Sequence, residues 1–279
     1  MHSFILEPSE VKSALSDPSV RVVDCRFDLG NRSTGAHVYK EAHIPGAVYA
    51  HLEEVLSSPV LEHGGRHPLP SVDNFVSYLE AQGITNDTKV IAYDDQGGAM
   101  ASRFFWLMKY VGNQETYILN GGFQAWKEAG YDVTKDVTSY PKASYTPMVQ
   151  HDMKVDMEQL KNKLLTEDVL VIDSREEKRY KGLEEPIDAK AGHIPGAQNK
   201  FWKGILKSEQ RWASAEELRA HFSDIDRTKE IIVYCGSGVT ACPNIVALLE
   251  AGFTNVKLYP GSWSDWITYE GNLIDTDLS

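Results

Sequence analysis

Short runs of mainly aliphatic residues recur along the chain, among them Val20-Arg21-Val22-Val23, with one arginine, and Val90-Ile91-Ala92-Tyr93, Val169-Leu170-Val171-Ile172 and Ile231-Ile232-Val233-Tyr234, with no charged residue. Between them lie segments whose apolar positions repeat at helical spacing, over residues 71–82, 100–110, 156–165 and 215–222. Strands that do not alternate with polar residues are buried on both faces, and intervening helices supply the cover. The pattern predicts an α/β protein built on parallel sheets with helices on both sides.

The pattern also occurs twice. His43-Ile44-Pro45-Gly46-Ala47 recurs letter for letter as His193-Ile194-Pro195-Gly196-Ala197. Upstream, the strand-like run ending in Asp24-Cys25-Arg26 matches the one ending in Asp173-Ser174-Arg175, and downstream the run to Tyr93 matches the run to Tyr234. Asn120-Gly121-Gly122-Phe123-Gln124-Ala125-Trp126 then matches Pro260-Gly261-Ser262-Trp263-Ser264-Asp265-Trp266, a glycine turn followed by two aromatics spaced for one helix face. Matches kept in one order indicate a duplicated domain. Residues 134–153 hold Pro141, Pro147 and many polar residues without periodicity, which predicts a linker. The expected domains are residues 1–136 and 154–279.

Composition narrows the function classes. The chain has 279 residues, enough for two ordinary domains, and a formal charge of −12 with no basic patch, which argues against nucleic acid and anionic membrane as partners. No apolar run approaches membrane-spanning length, and the first ten residues lack the pattern of a signal peptide. Three cysteines, Cys25, Cys235 and Cys242, are too few for a disulfide scaffold, so a reducing, cytoplasmic setting is expected. No Cys and His spacing resembles a zinc site, and no cofactor is expected.

The candidate chemistry centres on Tyr234-Cys235-Gly236-Ser237-Gly238-Val239-Thr240-Ala241, a glycine-rich turn between a strand and a helix-like run over 242–249. Its glycines let successive N–H groups turn inward, and the positive end of the following helix points the same way. Such a turn stabilises an anionic sulfur, and sites in these folds lie beyond the carboxyl ends of the strands. In the first copy Asp94 stands where Cys235 stands in the second. One copy keeps the turn without a nucleophile, which predicts a single working site. The histidines before Ile-Pro-Gly and the acids Asp24 and Asp173 occur in both copies, so packing explains them better than catalysis. Cys25 and Cys242 are expected to be buried packing residues, and Trp263 and Trp266 core residues, Trp263 bordering the pocket.

With these motifs in order, the whole chain resembles the tandem-domain rhodanese and 3-mercaptopyruvate sulfurtransferase family. The resemblance implies two rhodanese-like domains and a two-step reaction. Cys235 takes the outer sulfur of a small anionic donor as a persulfide, then passes it to a thiol, to cyanide or to a protein such as a thioredoxin-like acceptor. Thiosulfate-preferring relatives carry basic residues after the cysteine, whereas Gly236 and Ser237 look like the mercaptopyruvate-using branch. The expected donor is 3-mercaptopyruvate, with thiosulfate as the alternative. The resemblance further implies a proton relay of Ser237, His67 and Glu53, an anion-binding Arg179, and donor contacts along Gly236, Gly238, Val239 and Thr240. Relatives of the mercaptopyruvate branch place a second arginine shortly after the first, but here the chain reads Leu183-Glu184-Glu185-Pro186-Ile187-Asp188. Arg66 and Arg103 are candidates to replace it. Arg175 and Lys181 lie in the same segment, where Glu176, Glu177, Glu184 and Glu185 make a solvated charged loop the plainer expectation.

Two other readings compete. A cysteine-dependent phosphatase or arsenate reductase needs an arginine as the sixth residue after the cysteine to clamp phosphoryl oxygens, and here that residue is Ala241. A persulfide relay module would receive its sulfur from another enzyme and only hand it on.

Overall fold

The computed structural model describes residues 3–208 and 210–277. The chain divides into two compact units. The first comprises Met1–Ser58, Pro70–Gln150 and Leu206–Trp212, and the second Pro59–Leu69, His151–Ile205 and Ala213–Ser279. The sequence expectation assigned residues 1–136 to one domain, but Pro59–Leu69 packs with the second unit and Leu206–Trp212 with the first.

In the first unit the elements run β1 (Ile5–Leu6), α1 (Pro8–Ala14), β2 (Arg21–Asp24), α2 (Thr34–Glu41), β3 (Ala47–Tyr49), α3 (Val72–Ala81), β4 (Val90–Tyr93), α4 (Ala99–Tyr110), β5 (Thr116–Leu119) and α5 (Gly122–Glu128). The sheet is parallel throughout, in the order β1-β5-β4-β2-β3. In the second unit they run α6 (Met157–Lys163), β6 (Val169–Asp173), α7 (Glu177–Tyr180), β7 (Gln198–Asn199), α8 (Ala215–His221), β8 (Glu230–Tyr234), α9 (Ala241–Glu250), β9 (Val256–Leu258) and α10 (Ser262–Trp266), with short 3-10 turns at His151–Met153 and Trp202–Ile205. This sheet is also parallel, in the order β7-β6-β8-β9. The prediction of parallel sheets covered by helices holds in both units.

The cores repeat as the sequence does. Val22, Ile44, Ala47, Ile91, Tyr93, Phe123 and Trp126 are buried together in the first unit, and Val171, Ile194, Ala197, Ile232, Tyr234, Trp263 and Trp266 in the second. Helix starts follow local chemistry: Ser71 caps α3 through the Asn74 amide, and Asp156 with Gln159 and Ser214 with Glu217 form capping boxes on α6 and α8. Helix α4 departs from the amphipathic expectation, since every residue from Ala99 to Tyr110 is buried. A helix covered on all sides has no polar stripe to present.

The linker-like segment is held down. The Met148 and Gln150 amides donate to the Val111 and Tyr110 carbonyls, both within 2.9 Å, and the buried Tyr145 hydroxyl donates to Val111 as well. Up to the 3-10 turn at His151–Met153, its backbone bonds are made one by one and not within a regular element.

The paired histidines are structural in both units. His43 stacks on Tyr39 and bonds its carbonyl through Nδ1 at 2.6 Å, and His193 does the same with Tyr180 at 2.8 Å. Asp24 and Asp173 each hold the arginine two residues on, at 2.6 Å.

Candidate functional site

Strand β8 is an inner strand, flanked by β6 and β9, and delivers Cys235 at its carboxyl end. The thiol is 1% exposed. The turn closes at once: Gly238 donates its N–H to Cys235 Sγ at 3.2 Å. Gly238 has φ +76° and a Cβ there would sit 2.3 Å from the Pro260 carbonyl oxygen, so this turn accepts only glycine. Val239 is buried and its carbonyl accepts the Cys242 amide at 3.0 Å, while Thr240 leads into α9. The Cys242 thiol donates to the Gly238 carbonyl, and Cys25 is buried in the first unit, as packing roles require.

The start of α10 braces the turn from behind. Trp263 and Ser264 donate backbone N–H groups to the Cys235 and Gly236 carbonyls, each at 3.0 Å, and Ser262 Oγ accepts the Cys235 amide at 3.2 Å. Ser262 adopts φ +57°, alone among the described non-glycine residues in the left-handed region. The matching residue of the first copy, Gly122, has the same φ of +57°. A serine held where its counterpart is glycine stores strain beside the Cys235 turn. The sequence carried that signal as a glycine-to-serine exchange between the copies, but sequence reasoning did not single out Ser262.

The segment Pro59–Leu69 lies against α10 as a strap. His63 stacks on Tyr269 and bonds Thr268 Oγ1 at 2.8 Å, the Gly64 amide donates to Asp265 Oδ1 at 2.7 Å, and the Arg66 amide donates to Ser264 Oγ at 3.1 Å. Gly65 makes the approach feasible: it has φ +78°, and a Cβ would lie 2.3 Å from the Gly261 carbonyl oxygen. The strap ends by placing His67 Nδ1 2.8 Å from Ser237 Oγ, both side chains buried. Ser237 and His67 are thus brought together beside the thiol. Glu53 belongs to the first unit, where its carboxylate pairs with Arg32 at 3.2 Å.

Opposite the turn, carboxylates and guanidinium groups alternate. Asp173 holds Arg175 at 2.6 Å, Arg175 reaches Glu185 at 3.3 Å, Glu185 holds Arg179 at 2.8 Å, and Arg179 reaches Asp188 at 2.9 Å. The other oxygen of Asp188 pairs with Arg66. Glu185 and Asp188 have side chains only 4% and 3% exposed, which excludes the solvated loop expected here; Lys178 with Glu184 and Lys181 with Glu177 form its exposed fringe. A Cβ added to Gly236 would lie 2.8 Å from Arg66 Nη2 and 3.6 Å from both Nη atoms of Arg179. Two guanidinium groups therefore face the residue after the thiol. Burial pulls the Arg66 pKa down from its ordinary value; the Cys235 sulfur opposes that and the Arg179 charge adds to it. Arg103 bonds the Leu56 carbonyl inside the first unit. Of the two substitutes considered for the second arginine, Arg66 is the one beside the loop.

In the first unit the matching turn is filled by the side chain of Asp94. Its Oδ1 accepts the amides of Gln96 and Gly98, and its Oδ2 those of Met100 and Ala101, all between 2.8 and 2.9 Å. Burial raises the Asp94 pKa, with the four amides only partly offsetting it. These bonds show that the amides of the turn converge on one small buried acceptor group.

A duplicated parallel α/β fold with a buried thiol at the end of an inner strand defines the class. The profile of the rhodanese-like domain matches residues 7–129 and again 156–269, and the chain belongs to that family. Among its members it is a sulfurtransferase. It is 42% identical over 269 residues to a protein of Pseudomonas aeruginosa named "Probable 3-mercaptopyruvate sulfurtransferase", covering 95% of each chain. It is 33% identical to the thiosulfate sulfurtransferase of Rattus norvegicus, over 92% of this chain and 88% of that one. The structure of 3-mercaptopyruvate sulfurtransferase from Leishmania major superposes with a TM-score of 0.83 at 30% identity, over 95% of this chain and 74% of that one. Among the described residues, no helix is long and apolar enough to cross a membrane.

Proposed function

We propose that the second unit is the catalytic copy, that Cys235 is the nucleophile and that 3-mercaptopyruvate is the preferred donor. The observation that carries the reading is the joint placement of the thiol under the Gly238 amide and of Ser237 against His67. The Cys235 thiolate attacks the donor sulfur, forming the S–S bond as the carbon–sulfur bond breaks. Its electron pair leaves with pyruvate as the enolate. The donor thiol proton passes to Ser237 and His67 and returns to the enolate carbon, so charge and atoms balance. The Gly238 amide stabilises the negative sulfur before and after transfer. An acceptor thiolate then attacks the outer sulfur and restores Cys235.

Arg179 and Arg66 bind the donor carboxylate, and their fork geometry beside Gly236 supports that assignment. Gly236, Gly238, Val239 and Thr240 border the donor. The absence of a basic side chain at Gly236 and Ser237 favours a monocarboxylate over a dianion, making thiosulfate the second choice. A small thiol or a thioredoxin-like protein accepts the sulfur, and three cysteines, none in a disulfide, fit a cytoplasmic setting.

Incubation with 3-mercaptopyruvate and no acceptor should add the mass of one sulfur to the chain, mapping to Cys235 by peptide mass spectrometry, with pyruvate released in equal amount. Cys235→Ser should abolish both. Sulfur on Cys25 or Cys242, or a donor ratio favouring thiosulfate, would overturn the corresponding part of the reading.

A further inference from the structure

The alternating network ends at the two groups that face the donor, and Asp188 is the carboxylate they share. One oxygen pairs with Arg66 and the other accepts from Arg179 Nη2 at 2.9 Å. Its backbone is pinned as well, the Asp188 amide donating to Glu185 Oε1 at 3.0 Å. Arg66, Arg179, Arg175, Asp188, Glu185 and Asp173 carry formal charges that cancel. A cradle presenting two guanidinium forks next to Gly236 is therefore close to neutral in total charge.

Neutrality has a consequence for selection. Asp188 aligns both forks, which helps any anion, but its own charge opposes the bound anion in proportion to that anion's charge. A monoanion meets this opposition once and a dianion twice. We propose that Asp188 is a specificity-determining residue, acting through Arg66 and Arg179 to bias the site toward monoanionic donors and against dianionic ones. The inference rests on the assignment of these arginines to the donor anion and deepens it.

The test compares the intact protein with Asp188→Asn, Asp188→Glu and Arg66→Gln in two readouts. The first is the ratio of kcat/KM for thiosulfate to that for 3-mercaptopyruvate. The second is the ratio of sulfate to pyruvate affinity measured by calorimetry, which needs no turnover. Asp188→Asn should raise both ratios about tenfold, the scale of one charge in a partly buried site, whereas Asp188→Glu should leave them within about twofold of the parent. Arg66→Gln moves the cradle charge the other way and should lower both ratios, so the idea stays testable if Asp188→Asn folds poorly. Ratios that stay constant while both constants of a pair fall together would show a purely structural role and overturn the proposal. Loss of persulfide formation from every donor in the parent, with the anion ratios behaving as expected, would instead sink the donor assignment and leave the charge bias standing.

Discussion

Asp94 and Cys235 occupy the same corner of two copies of one turn, and the amides around Asp94 clarify the chemistry of its counterpart. A cysteine persulfide places its outer sulfur as many bonds from the backbone as aspartate places its carboxylate oxygens. The groups equivalent to Gly98 and Met100 are Val239 and Ala241, whose amides we expect to receive that outer sulfur, whereas the counterpart of Ala101, Cys242, already donates its amide to the Val239 carbonyl. Removing the acceptor should be costly in the first copy. Asp94→Ala strands four buried N–H groups and should lower unfolding free energy by roughly 3 kcal/mol or more in urea titration. A loss below about 1 kcal/mol would mean that water replaces the carboxylate. The neighbouring Asp95 gives a pH-dependent counterpart. Burial, reinforced by the Asp94 charge, raises its pKa from 3.8 to about 6. The folded state then holds this proton more tightly than the unfolded chain, so Asp95 withdraws stability as pH rises from 3.8 to about 6. Stability measured across that window should fall less steeply in Asp95→Asn than in the parent.

At the scale of elements, strand runs, helices and repeat were legible because burial on both faces writes itself as unbroken aliphatic runs. The Cys235 turn was legible because a cysteine directly after a buried strand, with glycines at 236 and 238, can fold its own amides around the sulfur. Arg66 and Asp188 were harder to place. Their meaning depends on one strap and one loop meeting at the same helix, a contact between residues 122 positions apart that no local pattern encodes. The strap itself depends on Gly65. Gly65→Ala would force a Cβ against the Gly261 carbonyl and push the strap off α10, carrying His67 and Arg66 with it. We expect kcat/KM for 3-mercaptopyruvate to fall at least tenfold, while alkylation of Cys235 by a neutral reagent continues. Unchanged kinetics would show that the strap does not position the relay.

At the scale of the whole molecule, duplication produced two parallel sheets with matched cores, matched histidine stacks and matched Asp–Arg pairs. The difference lies in what fills the turn: the Asp94 carboxyl group in one unit and the buried Cys235 thiol in the other. The units also do not coincide with the two halves of the sequence, because Pro59–Leu69 belongs to the unit that holds Cys235. His67 and Arg66 are written before the linker, and Cys235, Arg179 and Asp188 after it. A gene cut at the linker would therefore separate Cys235 from His67 and Arg66, the residues we propose act with it. A break in the chain anywhere between residues 70 and 150 would leave the strap on a different fragment from the turn that it braces.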